Sequence, residues 1–398
     1  MLRPVCDRPT LWEALLPPEA LVMPAELEAV DRLLDDPRLF GPFRRWFDPE
    51  VGRPSIPIES FLRLMFLKYR YRLGYETLCA EVSDSDTTVV PADIKYPTDS
   101  GLLVRGITKA AGLVARIQAA GVAPRTSFDD STALARQAAH RIGSKLRRRG
   151  DEAKAEVLAI TGEVVDLAET AIEQARRVLT NAKRVADRPV RRLRQMLADL
   201  ERLLDALARI VAQTRLRLAG DTPPGKTRRV SLIDGDARPI RKGSFANPTQ
   251  FGYTAQVTDN RQGIVVDYEV EAGMPADAPR LAPAIERAIA AVGAVPDAVT
   301  ADRGYGESSV NEDLRTLGVD LVAILRRDKT SRIRQVIEDT DDFVELVKWR
   351  TGAEGRIAAL KRQHGWDRAR IRGLAGARTW CGWGIFSHNA IKIAALKR

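Results

Sequence analysis

The feature that most constrains this chain is a run of leucines and valines near its middle. Val190, Leu193, Leu197, Leu200, Leu204, Leu207, Val211, Thr214 and Leu218 step alternately by three and four residues. That rhythm is an a/d seam sustained over roughly four heptads, and it begins directly after Pro189. An earlier stretch repeats it through Val157, Ile160, Val164, Leu167, Ala171, Gln174 and Val178. Only ADRP (186–189) separates the two. The expected structure is an antiparallel helical hairpin, zipped along both seams, inside a stretch of helical pattern from 102 to 218. Arg176, Arg177, Lys183, Arg184, Arg191, Arg192 and Arg194 cluster near its tip. Such a run is either a solvated face or a basic arm that tracks a DNA backbone.

The flanks read differently. Residues 1–85 are helical in pattern: PAELEAVDRLLDD (24–36) has apolar positions at helical spacing, and residues 56–82 contain two short helices broken at Gly74. Basic and aromatic residues alternate in FLKYRYRLGY, which suits a helix-turn-helix placing Lys68, Arg70 and Arg72 on phosphates. The bland alternative is a small packed domain with a solvated basic face. TTVV (87–90), stopped by Pro91, reads as a buried strand. At DTPPGKT (221–227) the helical pattern ends and the period becomes two. RRVSLI (228–233), FGYTAQVTD (251–259) and GIVVDYEVE (263–271) read as strands, with DNRQG a hairpin turn between the last two. A helix follows over 275–293, with Asp277 as its expected N-cap. AVTADRGYG (298–306) and LVAILRR (321–327) are further strands, and the chain is helical again from about 340. Strands, helix, strand, strand and closing helices indicate an α/β domain, interrupted by the helical hairpin.

Charge raises the prior for a polyanionic partner. Lys plus Arg (63) outnumber Asp plus Glu (53), for a net +10 over 398 residues and a pI near 9.7. Cys6, Cys79 and Cys381 lie far apart, and with only His140, His364 and His388 there is no zinc constellation. No apolar run approaches the roughly 18 residues a bilayer span needs, and MLRPVCDRPT lacks a signal-peptide core. A cytoplasmic, reduced setting without membrane function is expected.

Acids are the remaining signal. Asp84, Asp86, Asp93 and Asp99 crowd into EVSDSDTTVVPADIKYPTDSGLL (81–103). Asp302 ends an apolar strand before Gly304 and Gly306, where open α/β sheets keep their ligands. In VKWRTGAEGRIAALKR (347–362), Arg350, Glu354 and Lys361 are spaced by 4 and 7 residues, close to whole helical turns, so they share a face. Arg303, beside Asp302, is a further candidate for a phosphate. Trp349 is read as packing rather than as a base-stacking residue. Asp234 and Asp236 flank a glycine in SLIDGDARPI and are alternatives to Asp86 as a first metal ligand.

Arg, three residues, Glu, six residues, Lys resembles the helix signature of bacterial insertion-sequence transposases with a DDE site, although Val347 stands where that signature has a tyrosine. DTTVVPADIKYPTDSGLL (86–103), DGDARPIRKGSFANPTQFGYTAQVTDN (234–260), VTADRGYGE (299–307) and WRTGAEGRIAALKRQHGWDRARIRG (349–373) are similar, in that order, to one branch of these transposases, and GRPSIPIESFLRLMFLKYRYRLGYETLCAEVSDS (52–85) to its N-terminal DNA-binding region. The resemblance implies an RNase-H-like mixed sheet with helices, divided into a helical DNA-binding domain (1–85), a first core segment (86–101), a coiled-coil insertion (102–220) and the rest of the core (221–398). It implies Asp86, Asp302 and Glu354 as catalytic metal ligands for two Mg²⁺, with Mn²⁺ as a substitute. Arg350 and Lys361 then hold phosphates. The implied partners are double-stranded DNA, as terminal inverted repeats and target, and further copies of the chain in a synaptic dimer or larger assembly at the bacterial nucleoid. Asp93 and Asp99 are left to turns and Asp84 to a helix end or linker.

In those relatives several tens of residues separate the EVSDS stretch from the DTTVV strand; here the two are joined directly, as in an internally shortened copy. Two other readings follow. A shortened copy could grip DNA without cutting it. Alternatively, the 157–218 hairpin could be a coiled-coil scaffold, which predicts no salt-sensitive DNA affinity.

Overall fold

The computed structural model describes residues 23–47, 55–72, 90–94, 97–145, 150–185, 190–241, 248–327 and 330–396, with the side chains of 351–354 excepted. The central seams form helices, and more of them than a hairpin. Helices α3 (Asp99–Ala119), α4 (Thr132–Lys145), α5 (Asp151–Val185) and α6 (Arg191–Leu218) share one apolar core. The seam residues Leu193, Leu197, Leu200, Leu204, Leu207, Val211 and Thr214 are buried, but so are Leu203, Ala206 and Ile210. A stripe that wide buries itself on two neighbours rather than one, and α6 packs against both α5 and α3. Val190, expected at the head of the seam, is exposed. The hairpin is thus part of a four-helix unit.

Helix α3 starts earlier than expected. Thr98 caps it, its hydroxyl accepting the Gly101 amide at 3.2 Å, and Asp99 lies in the first turn. Asp99 serves no turn of its own: buried, it accepts from Gln213 at 3.0 Å and from Arg217 at 2.8 Å, pinning α3 to α6.

Among the described residues the strands form two sheets. In the first, β1 (Val90–Pro91), β2 (Arg238–Arg241) and β4 (Val265–Ala272) all pair antiparallel with β3 (Thr249–Asp259). Gly252 pairs with both Pro91 and Arg238, and Tyr253 with both Val90 and Ala272. In the second, β5 (Ala298–Thr300) runs parallel to β6 (Leu321–Ala323). Of the expected first strand, Thr87, Thr88 and Val89 lie outside the described residues, as does the second helix expected after Gly74. The expected strand at 228–233 is absent, because side chains occupy its backbone groups: Gln213 accepts the Arg229 amide and donates to the Arg229 carbonyl, and Ser231 Oγ accepts the amides of Ile233 and Asp234. The β3–β4 turn is where the sequence places it. Asn260 Oδ1 accepts the amides of Gln262 and Ile264, and Gly263 has φ 73°, the left-handed region that favours glycine.

Helix α7 (Leu281–Val292), with a short 3₁₀ turn before it, and α8 (Ser308–Thr316) cover β5 and β6. Asp277 is not a cap; its backbone is already helical and its side chain makes no capping bond. The closing helices are α9 (Arg332–Glu338), α10 (Asp341–Gln363) and α11 (Gly373–Leu396). Helix α11 is the hub. It lies on the first sheet, with Trp380 Nε1 donating to Gly365 O at 2.6 Å and Trp366 Nε1 to Cys381 O at 3.0 Å. Its far end takes the N-terminal helices α1 (Ala25–Leu34) and α2 (Ile58–Arg70): Val30, Leu34, Leu62 and Phe66 share a cluster with Ala390 and Ala394. Among the described residues no helix is long and apolar enough to cross a membrane.

Candidate active site

The parallel pair β5–β6 delivers one acid to an open edge. Thr300 Oγ1 donates to Ala323 O at 2.8 Å, closing the pair at its carboxyl end. Two residues on, Asp302 has extended backbone (φ −64°, ψ 157°) and starts the 3₁₀ turn Arg303–Tyr305. The turn must end in glycine: a Cβ at Gly306 would meet Leu325 O at 2.1 Å, while its own carbonyl accepts the Arg327 amide at 3.1 Å. The loop after β6 therefore folds tightly over 303–306 and fixes Asp302 at the rim. Asp302 Oδ1 accepts the Arg303 amide at 2.7 Å and lies 3.6 Å from Arg350 Nη1 of α10. The carboxylate is 68% exposed, and its second oxygen has no partner among the described residues. Tyr305 sits behind it, its hydroxyl pushed up to about 12 by burial and by the neighbouring Asp277 and Asp302 carboxylates.

Helix α10 supplies the cationic side. Phe343 and Leu346 anchor its first half under β6, with Val347 packed beside them. Arg350 reaches Asp302 from the next turn. Glu354 stands in the same helix one turn further, on the face Arg350 shares. Its side chain lies outside the described set, and Asp86 lies outside it altogether. Among the described residues no three His, Cys, Asp or Glu side chains converge to hold a metal ion. An exposed carboxylate with a free oxygen, flanked by a guanidinium, is nonetheless the hard-oxygen donor that magnesium takes.

Several expected site residues have other tasks. Arg303 donates from Nε to Arg326 O at 3.0 Å and so braces the loop over Asp302. Lys361 is buried near the end of α10. Trp349 is half-buried, with the Arg356 guanidinium 4.5 Å above its ring, and Arg356 is paired with Asp259. The contact made by this ring is therefore a cation–π pair with Arg356. Lys68 is 2% exposed and lies 5.2 Å over the Trp380 ring; burial, then Arg370, lowers its pKa. Arg70 binds Glu26 at 3.1 Å, and Arg72 is paired with Asp367. These three side chains hold α2 to α1, α11 and the loop before α11 rather than lining a free basic face.

The rival first acids are also engaged. Asp234, 3% exposed, accepts from Tyr253 Oη at 2.6 Å and from the amides of Asp236 and Ala237, each at 3.2 Å. Burial and the Asp234 hydrogen bond push the Tyr253 hydroxyl up. Asp236 Oδ2 accepts the Leu374 amide at 2.9 Å at the start of α11. Both serve the turn and the helix end. Asp93 is exposed and paired with Arg368 at 3.2 Å, in a tight turn closed by the Ile94 amide on Ala92 O.

Comparison with known families gives two matches. Residues 225–390 match the family described as transposase DDE domain, and residues 12–88 match one described as transposase domain (DUF772). The first contains Asp302 and Glu354; the second runs through Asp86. No curated protein and no solved structure matches the chain.

Proposed function

We propose that this chain, which belongs to the DDE transposases of insertion sequences, binds the ends of its element and cleaves and rejoins DNA strands there. Asp302, Glu354 and Asp86 would hold two divalent cations, magnesium or manganese. The observation that carries this reading is the Asp302 carboxylate, exposed at a strand end and facing Arg350, one helical turn from Glu354. These carboxylates would offer the hard oxygens such cations take, and the cations would supply the charge that activates an attacking oxygen and stabilises a leaving one.

The chain's own residues do the rest. The braced loop at Gly306 and Arg303 holds the Asp302 carboxylate still, which lowers the reorganisation needed when a phosphodiester arrives. Arg350 is half-buried and pre-oriented, so its planar fork can take a phosphate's paired oxygens. In the sequence Asp86 comes four residues before Val90 of β1, the strand that pairs with β3. The engagement of Asp234 and Asp236 in a turn and a helix end favours Asp86 over either. The antiparallel series β4–β3–β1 and the parallel pair β5–β6 support an RNase-H-like core, with the 99–218 helices inserted after its first strand. The same reading places the protein on terminal repeats and target DNA as a dimer or larger synaptic assembly.

The test is nicking of a supercoiled plasmid that carries the coding sequence with its flanking DNA. With Mg²⁺ the full chain should nick it, and Asp302→Asn or Glu354→Gln should each reduce nicking about 10³-fold or more while DNA binding persists. Nicking that survives either change removes that residue from the site. A wild-type chain that binds but never cuts leaves the shortened, binding-only copy as the correct account.

A further inference from the structure

A concave surface on the helical insertion has no part in the site above. It is a groove of about 1020 Å³ between the α3–α4 loop, α5 and α6, and Arg125, Arg176, Arg177 and Arg184 line it. Among the described lining residues Glu169 and Glu173 are the only acids. Glu173 is paired with Arg177 at 3.3 Å and Glu169 with Arg215 at 2.7 Å. Arg176 lies a loose 4.0 Å from Asp205. Among the described residues no carboxylate lies within ion-pair distance of Arg125 or Arg184, so two full charges face the opening.

Their convergence is built rather than incidental. The loop carrying Arg125 is pinned to α5 by two side-chain clamps. Asn181 Nδ2 donates to Thr126 Oγ1 at 3.0 Å; Gln174 accepts the Asp129 amide and donates to Asp129 Oδ2, both at 2.8 Å. Gln118 Nε2 ties down Thr126 O at 2.7 Å from the other side. Gln174 is nearly buried to do this. The buried amide and the stapled loop thus keep Arg125 on the same lining as the three arginines of α5, a net positive surface suited to an anionic ligand.

Shape and spacing select the ligand. From Arg176 to Arg184 the helix advances about 12 Å, the axial rise of three to four nucleotides on one strand of a duplex. One small anion would leave most of the groove empty. An acidic protein would want aromatic anchors, and none of the described lining residues is aromatic. We propose that this groove grips the phosphate backbone of duplex DNA outside the active site, irrespective of sequence. The proposal rests on the DNA-acting reading above and adds to it a second, catalytically silent grip.

The experiment measures the affinity of the full chain for a labelled duplex of roughly 40 base pairs across a salt series. Each phosphate left without its cation should flatten the log–log salt slope by about 0.9. Arg125→Ala with Arg184→Ala should therefore flatten it by about 1.8 and weaken binding about tenfold or more at moderate salt. Arg125→Lys with Arg184→Lys should restore the slope. If the wild type binds and the alanine pair keeps the wild-type slope, the groove proposal fails while the active-site reading stands. If the lysine pair is as flat as the alanine pair, charge is not what the groove supplies, and the proposal also fails. A wild type with no affinity for duplex DNA overturns both.

Discussion

The helical insertion (99–218) and the core around α11 solve the same problem by different means. The insertion buries leucine, isoleucine, valine and alanine from four helices that follow one another in the chain. Its helices are consecutive, and its few buried polar groups tie down its ends, its loops and the segment that follows it. The core draws α2, β1, β3, β4, α10 and α11 together across more than three hundred residues, and buried polar groups serve as latches: the two indole N–H bonds, the Arg72–Asp367 and Arg356–Asp259 pairs, and His364 with His388. Local apolar repetition makes a unit that can stand on its own. A core assembled from distant pieces depends on each latch being in place.

The largest expected effect tests that independence. Leu204 is 1% exposed at the centre of the insertion, and Leu204→Ala should cost about 2–5 kcal/mol through reduced burial and the cavity left behind. All six tryptophans lie outside residues 99–218, so tryptophan fluorescence reports on the rest of the chain while far-UV circular dichroism is weighted by the helices. Thermal melting should show the dichroism transition moving down and the fluorescence transition staying. If both move together, the Asp99–Gln213–Arg217 junction couples the two regions into one cooperative unit, and the contrast is only one of composition.

Next in size are two glycines at close approaches. A Cβ at Gly252 would stand 2.4 Å from Val90 O and 2.8 Å from Ala92 N, both backbone atoms. A Cβ at Gly106 would stand 2.1 Å from a Leu207 methyl, the end of a side chain that can turn away. Overpacking costs roughly 1–3 kcal/mol, so Gly252→Ala should fall near about 3 kcal/mol and Gly106→Ala near about 1. Gly252→Ala should also depress Mg²⁺-dependent nicking, because it forces β1, and with it the segment bearing Asp86, away from β3. Full nicking by Gly252→Ala would mean that the β1–β3 pairing does not position the first acid.

What the sequence reveals follows the same division. The seams, β3, β4, the Asn260 turn and the strand-end position of Asp302 are legible because each is written in local period or turn chemistry. The second apolar stripe of α6, Leu203, Ala206 and Ile210, is visible only as surplus leucine until α3 stands beside it. Residues 228–233 have a strand's composition, yet Gln213, on the preceding helix, takes the backbone bonds a neighbouring strand would need. Lys68, Arg70 and Arg72 read as a phosphate-binding row because their partners, Trp380, Glu26 and Asp367, lie far away in the chain. The arginine groove is half legible: Arg176, Arg177 and Arg184 read as a run, but Arg125 joins them only through the clamped loop.

The smallest effect per step is acid sensitivity, and it should divide the molecule along the same line. His364 and His388 stack edge to face at 5.4 Å between α10, α11 and the β3–β4 turn. His364 Nδ1 lies 3.2 Å from Ser387 Oγ, and His388 Nε2 lies 2.9 Å from Gly263 O. Burial, then His388 and Arg70, lowers His364 to about 3. Burial also lowers His388, against the raising pull of Gly263 O and Asp259. Both are therefore neutral in the fold and take protons in the unfolded chain below the ordinary histidine value near 6.5. The stability they contribute is fully present above that pH and is lost as pH falls below it, for His364 down toward 3 and at up to about 1.4 kcal/mol per pH unit. Asp259, raised by its own burial, binds its proton earlier in the fold than in the unfolded chain and opposes this loss, but only nearer the carboxylate range around pH 4. The clean window is thus about pH 6.5 to 5. In it the tryptophan-reported unfolding midpoint should drop while the helical insertion, whose one histidine, His140, is exposed, keeps its midpoint. His364→Gln should flatten the fluorescence trend, and an equal acid shift in both signals would erase the distinction between the regions.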